Sequence, residues 1–240
     1  MGPAAPAPAG VVDTLPTLNW PVPREWLNVK TGCRPTAAAG HASAILAVGD
    51  GATDDTAAIQ SCLDLVSNET HQFSVYIPAG NYKITSTLRL FRGLGILLVG
   101  QGETSCLEWG GEDGGTMLVS DGLSRSRFVG LVFDGRDSAA VGFEHDSHRP
   151  GLFETRIRHQ NNKFVNLLRA GIRIGHNRTG GKLETSEVLY ENSIFANIGS
   201  QDSVAFNCTR YGGCGGAVIL NFNDCEQPYR ACTVHHARTC

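Results

Sequence analysis

The densest run of residues able to move protons or meet charge lies between Phe133 and His159, FDGRDSAAVGFEHDSHRPGLFETRIRH. It supplies Asp134, Asp137, Glu144, His145, Asp146, His148, Glu154, Arg156, Arg158 and His159. Carboxylates and imidazoles in such a run are the material of general acid–base work, provided a fold brings two of them together. Three other clusters fail on spacing. Asp50, Asp54 and Asp55 are not an EF-hand, because Ala52 stands at a ligand position and Asp55 where glycine is required. Gly175 to Lys182 misses the phosphate-loop spacing by one residue, and Leu183 replaces Ser or Thr. Cys208, Cys214, Cys225 and Cys232 with His235 and His236 fit no common zinc module and read as disulfide cysteines.

Elements that could position this chemistry begin at Gly49–Asp64, GDGATDDTAAIQSCLD. Two glycines permit a tight turn. Thr53 reads as the N-cap of a helix, with Asp54 and Asp55 in its first turn, opposing the positive end of the dipole. Ile59, Cys62, Leu63 and Val66 then recur at helical spacing as one apolar stripe. From Ser74 to Leu90, SVYIPAGNYKITSTLRL, the period changes. Val75 and Ile77, then Tyr82 and Ile84, alternate around a Pro-Ala-Gly turn and predict two short strands.

A glycine turn, an amphipathic helix and a broken strand pair, spelled GDGATDDTAAIQ and VYIPAGNYKI, resemble the entry of the pectate-lyase superfamily. The closer likeness is to the rhamnogalacturonase/epimerase-like pectate lyase domain. That resemblance implies an all-β fold: a single-stranded right-handed parallel β-helix, with the helix plugging its N-terminal end. Trp26-Leu-Asn-Val-Lys30 is similar to the family's first short strand, and Arg34–Ala47 is then an inserted surface loop. Residues 1–24, rich in Pro and Ala, read as a disordered or loosely packed arm that Trp20 and Trp26 could pin to the body, and residues 25–240 as the β-helix domain.

The later sequence repeats as a solenoid would. Phe133, Phe164 and Phe195 recur at a spacing of 31 residues, and Asn166 and Asn197 at the same spacing. Stacked coils bury one another's inner face, and equivalent asparagines can bond along the stack. Five or six coils are expected, ending in a C-terminus shorter than related β-helices carry. The 29 glycines, about 12% of the chain against a usual ~7%, fit many turns between short strands.

By resemblance, a sugar chain would lie along one parallel sheet, cleaved by paired carboxylates in hydrolases or by a base, often with calcium, in lyases. Asp134, Glu144, Asp146 and His159 are the candidate catalytic residues. Asp134 ends a strand, and Glu144 to Asp146 occupy a long excursion between coils, where functional residues concentrate. His159 has Tyr190 at its repeat equivalent, which favours packing. Arg156, Arg158 and Arg173 are candidates to pair with uronate carboxylates. The NTD, GHG and RIK signatures of polygalacturonases are absent, as is the aspartate set of calcium-dependent lyases. The expected function is therefore processing of an acidic polysaccharide by hydrolysis or elimination. The rivals are a non-catalytic carbohydrate-binding or structural β-helix and a uronate epimerase. No cofactor is implied, calcium excepted for a lyase.

Composition sets outer bounds. At 240 residues, 41% hydrophobic and 18% charged, the chain can bury one sizeable core. A net charge of −3 without a basic run argues against nucleic acid, and no apolar stretch is long enough for a bilayer-spanning helix. The first ten residues, MGPAAPAPAG, show neither the charged start nor the apolar core of a signal peptide, so the chain begins downstream of a removed leader or the protein is intracellular. Eight cysteines and sequons at Asn68, Asn177 and Asn207 nevertheless point to a secreted, disulfide-bonded glycoprotein. Oligomeric state is not encoded in any readable feature.

Overall fold

The computed structural model describes residues 14–21, 23, 26–33, 45–67, 74–146, 154–174, 185–198 and 218–220. The three sequons, the five cysteines from Cys208 onward, Gly175–Lys182 and most of the Arg34–Ala47 loop lie outside these residues. No described helix is long and apolar enough to cross a membrane.

Short strands follow one another in sets of three. The first coil has β1 (Leu27–Asn28), β2 (Asp50–Asp54) and, in the third position, α1 (Thr56–Val66). The second has β3 (Ser74–Tyr76), β4 (Gly80–Ile84) and β5 (Leu88–Phe91); the third, β6 (Leu97–Val99), β7 (Ser105–Trp109) and β8 (Thr116–Asp121). Then come β9 (Arg127–Val129), β10 (Val132–Asp134) and β11 (Val141–Asp146), and β12 (Glu154–Gln160), β13 (Lys163–Leu167) and β14 (Ala170–Ile174). The last coil is β15 (Thr185–Glu191), β16 (Ile194–Ile198) and β17 (Val218–Leu220). Each strand pairs in parallel with its equivalents in neighbouring coils, giving a first sheet β1-β3-β6-β9-β12-β15, a second β2-β4-β7-β10-β13-β16 and a third β5-β8-β11-β14-β17. This is the expected right-handed parallel β-helix.

Alternation along each strand sends every second side chain inward. Tyr82, Leu107, Phe133, Phe164 and Phe195 form one inner column on the second sheet. The 31-residue recurrence becomes a face-to-face stack: Phe133 and Phe164 have centroids 4.9 Å apart, Phe164 and Phe195 5.1 Å. Where the second sheet turns into the third, Asn166 and Asn197 take left-handed backbone angles. Asn197 Nδ2 donates to Asn166 Oδ1 at 2.8 Å, and Asn166 Nδ2 to Asp134 Oδ1 at 2.9 Å.

The lid helix buries Ala58, Ile59, Cys62, Leu63 and Val66 in the main core. Its start differs from the sequence expectation. Thr53 belongs to β2 and bonds to Asp50, whose Oδ1 accepts from Thr53 N and Ala52 N. Asp55 sits at the cap position but turns its carboxylate back onto Val48 N and Gly49 N, at 2.7 and 3.0 Å. Asp54 supplies the acceptor for Thr56 N instead. Gly49 makes this turn at φ 71°, so close to Tyr82 that a Cβ would stand 2.9 Å from the ring.

A disulfide joins Cys33, just after β1, to Cys62 on the lid, across 29 residues. Closing a loop of that size is worth roughly 3–4 kcal/mol in the chain-entropy account. Replacing both cysteines by alanine is expected to lower the melting temperature by several degrees. An unchanged melting temperature in the double variant would show that the bridge carries no stability.

The described part of the arm packs against the solenoid. Leu15 is buried against Cys106 and Val132, and Leu15 N donates to Glu103 Oε1 at 2.7 Å. Trp20 Nε1 donates to Gly100 O at 2.7 Å and Trp20 lies against Trp26, which meets Tyr76. Pro16 O comes so near Gly102 that a Cβ there would stand 2.2 Å away, so the corner between the first two sheets is shaped for the arm.

Candidate functional site

The residues singled out in the sequence divide between the interior and the surface. Glu144, His145 and Asp146 are not on an excursion. They form the end of β11, and all three are fully buried. The sequence misleads here because both faces of β11 are covered, so its polar letters look like a loop. Phe143 and His145 share the inner side with Phe128 and Phe133. Glu144, on the opposite side, forms an ion pair with Arg173 and accepts from Thr116 Oγ1. Arg173 is thereby engaged within the protein, its side chain only 14% exposed.

His159 points inward from β12, stacked between Phe128 and Tyr190 at 5.0 and 5.5 Å. This is the packing role implied by its repeat equivalent. It also ends a buried polar chain. His145 Nδ1 lies 2.9 Å from Ser120 Oγ and 3.2 Å from Glu154 Oε2, and His145 Nε2 lies 2.8 Å from His159 Nε2. Burial, reinforced by the neighbouring His145, holds the His159 imidazole well below its ordinary pKa. Burial and then the Glu154 charge push the Tyr190 phenol well above its own. The groups of this chain meet one another inside the core. Its members are closed to a polymer, so it has the chemistry of a site without the access.

Asp134 lies on the outer side of the second sheet, in register with Glu108. Arg136 reaches both, at 3.6 Å from Glu108 and 4.0 Å from Asp134. Asp134 Oδ1 also accepts from Arg136 N and Asn166 Nδ2, which fixes the turn and starts the asparagine ladder. This carboxylate pair is bound up in structure. Nearby Cys106 is buried, and burial raises its thiol pKa. Among the described residues no group of three His, Cys, Asp or Glu side chains could hold a metal ion.

The surface feature that chemistry can reach is on the first sheet. Arg127 and Arg158 are register partners on β9 and β12, exposed on the outer side while Phe128 and His159 point in. Two residues earlier in each coil stand Arg125 and Arg156, both exposed. Arg125 N donates to Thr155 O, and Ser124 bridges to Thr155, which puts Arg125 and Arg156 in equivalent places. Four guanidinium groups therefore share two adjacent coils, with about 4.8 Å between strands. Glu191 of the next coil lies 4.0 Å from Arg158, and Gln160 is its register partner. The sequence named Arg156 and Arg158. It could not name Arg125, Arg127 or Glu191, whose relevance exists only in the pairing register.

A helix-capped stack of three-sided coils with a charged outer face defines the class of parallel β-helix proteins. The chain belongs to the rhamnogalacturonase A/epimerase, pectate lyase-like family, whose family model matches residues 45–227. A solved chain from Geobacillus virus E2, ORF18, is similar to it with a TM-score of 0.52 and 19% identity, over 72% of this chain and 37% of that one. At that identity the likeness is one of fold. The present chain thus spans well under half of the viral one. No curated protein matches.

Proposed function

We propose that the protein binds and processes an acidic polysaccharide laid across the outer face of the first sheet, parallel to the solenoid axis. The observation that carries this reading is the set of four exposed arginines on two adjacent coils. A polyanion following the axis meets guanidinium groups at the strand repeat, and guanidinium forks suit carboxylates. Glu191, 4.0 Å from Arg158, is a carboxylate at this face and is the candidate to act on bound sugar. The family to which the chain belongs supports polysaccharide processing in general terms.

The test uses the full chain with polygalacturonate, alginate and a neutral glucan, following both new reducing ends and the ultraviolet absorbance of unsaturated products. Arg127→Glu with Arg158→Glu is expected to weaken polyuronate binding at least about a hundredfold, and raised salt to weaken wild-type binding, since exposed charges are screened. Unchanged binding in the double variant would remove the ledge from consideration.

A second reading, a non-catalytic glycan-binding β-helix, is favoured by the burial of Glu144, Asp146 and His159. Binding without turnover in either assay selects it. Turnover lost in Glu191→Gln with binding retained selects the enzyme.

A further inference from the structure

On the outer side of the first sheet, the register sets one residue per coil in a line parallel to the solenoid axis. Ser74 is partnered by Leu97, Leu97 by Arg127 and Arg127 by Arg158. Trp26 stands in the same place one coil earlier, because it precedes Leu27 as Ser74 precedes Val75, and those two are partners. The line therefore begins on an indole in the first coil and reaches guanidinium groups in the fourth and fifth. With about 4.8 Å between strands, Trp26 and Arg127 are about 14 Å apart along the axis.

Beside Trp26 the arm adds a second ring. Trp20 lies against Trp26 with centroids 6.4 Å apart and planes at 53°, and its Nε1 donates to Gly100 O at 2.7 Å, which fixes the indole. Both rings, with Leu18 and Leu97, pack over Tyr76, Val99 and Val129 and yet stay partly open to solvent. Leu15, the arm's other apolar anchor, is by contrast only 5% exposed. The tryptophans thus present planar apolar surface at the end of a charged line. One face of a sugar ring carries mainly C–H groups, and laying it on an indole takes apolar area of both out of water. A row of guanidinium groups alone does not tell a polyuronate from any other polycarboxylate.

Resting on the reading of this face as the polysaccharide ledge, we infer that Trp20 and Trp26 form a sugar-stacking subsite continuous with it. A polyuronate lying along the axis sets carboxylates at Arg127 and Arg158 and a ring of the same chain on the tryptophans. The arm is then part of the binding face, and the ligand it selects is a polyanion built of sugar rings.

The test uses the full chain with polygalacturonate and with polyglutamate, which carries carboxylates without sugar rings, and follows affinity and tryptophan emission. The third tryptophan, Trp109, is only 6% exposed, so an emission change reports Trp20 and Trp26. Polygalacturonate is expected to change the emission and to bind at least about tenfold more tightly than polyglutamate, a loss of the size that removing a buried tryptophan contact produces. Trp26→Leu is expected to bring polygalacturonate down to the polyglutamate level and to leave polyglutamate binding as in the wild type. Trp26→Phe, which keeps a ring, should retain most of the difference. If polyglutamate binds as tightly as polygalacturonate, or polygalacturonate binds with no change in emission, the ledge stands and the inference falls. A melting temperature lowered by Trp26→Leu with unchanged affinity would make the indole a structural anchor and also overturn it. The wild-type comparison of the two polymers decides the matter even if Trp26→Leu does not fold. If the wild type binds neither polymer, the ledge itself falls, and the subsite with it.

Discussion

Phe164→Ala is expected to lower stability by about 3–5 kcal/mol, the range for truncating a fully buried aromatic residue. Phe164 is completely enclosed, stacked between Phe133 and Phe195 with ring planes 7° and 12° from parallel. Removing it takes the stacking partner from both Phe133 and Phe195, and the coils above and below are tied by register and cannot close the gap. For a chain of this size each kcal/mol moves the melting temperature by roughly 2–4 °C, so a fall of about 10 °C is expected by calorimetry. Phe164→Leu should recover much of it. A loss under about 1 kcal/mol would mean that the stack does not hold the coils together.

The second large effect is on pH dependence. The folded protein keeps His159 neutral because its site is buried beside His145. An unfolded histidine takes up a proton near pH 6.5. The unfolded state then binds the proton that the folded state refuses, so this contribution to stability is complete above about pH 6.5. It is lost as pH falls below that value, at up to about 1.4 kcal/mol per pH unit until the depressed folded pKa is reached. His159→Phe continues the aromatic column begun by Phe128 and should flatten the acid limb, while the loss of the 2.8 Å contact to His145 Nε2 lowers stability at neutral pH by about 1–3 kcal/mol. The measurement is melting temperature from pH 8 to pH 4.5 for both proteins. An equally steep acid limb in the variant would exclude His159 as its source.

What the sequence shows of this fold follows from local physics. The lid helix was legible because Ile59, Cys62, Leu63 and Val66 keep helical spacing, and the stack because Phe133, Phe164 and Phe195 keep a constant repeat. The helix start was misread because Thr53 can cap in principle. Asp50 takes its amide and Asp55 closes the preceding turn, contacts decided by the geometry of the Gly49 bend. The polar run from Glu144 to His159 was misplaced for a similar reason. In a strand with both faces covered, residues such as His145 and Glu154 satisfy one another, and nothing in their order distinguishes this from a solvent-facing loop. The ledge was half legible. Arg156 and Arg158 are near each other in sequence, but Arg125 and Arg127 join them only through pairing across some 31 positions.

In a stack of coils, each layer ordinarily feels only the layers beside it, and the ends fray first. The arm alters that rule. Leu15 packs on Cys106 and Val132 of the third and fourth coils, and Trp20 bonds to Gly100 of the third and lies against Trp26, which meets Tyr76 of the second. A segment laid across these layers acts as a tie rod, so the second, third and fourth coils should come apart together where a bare repeat would peel layer by layer.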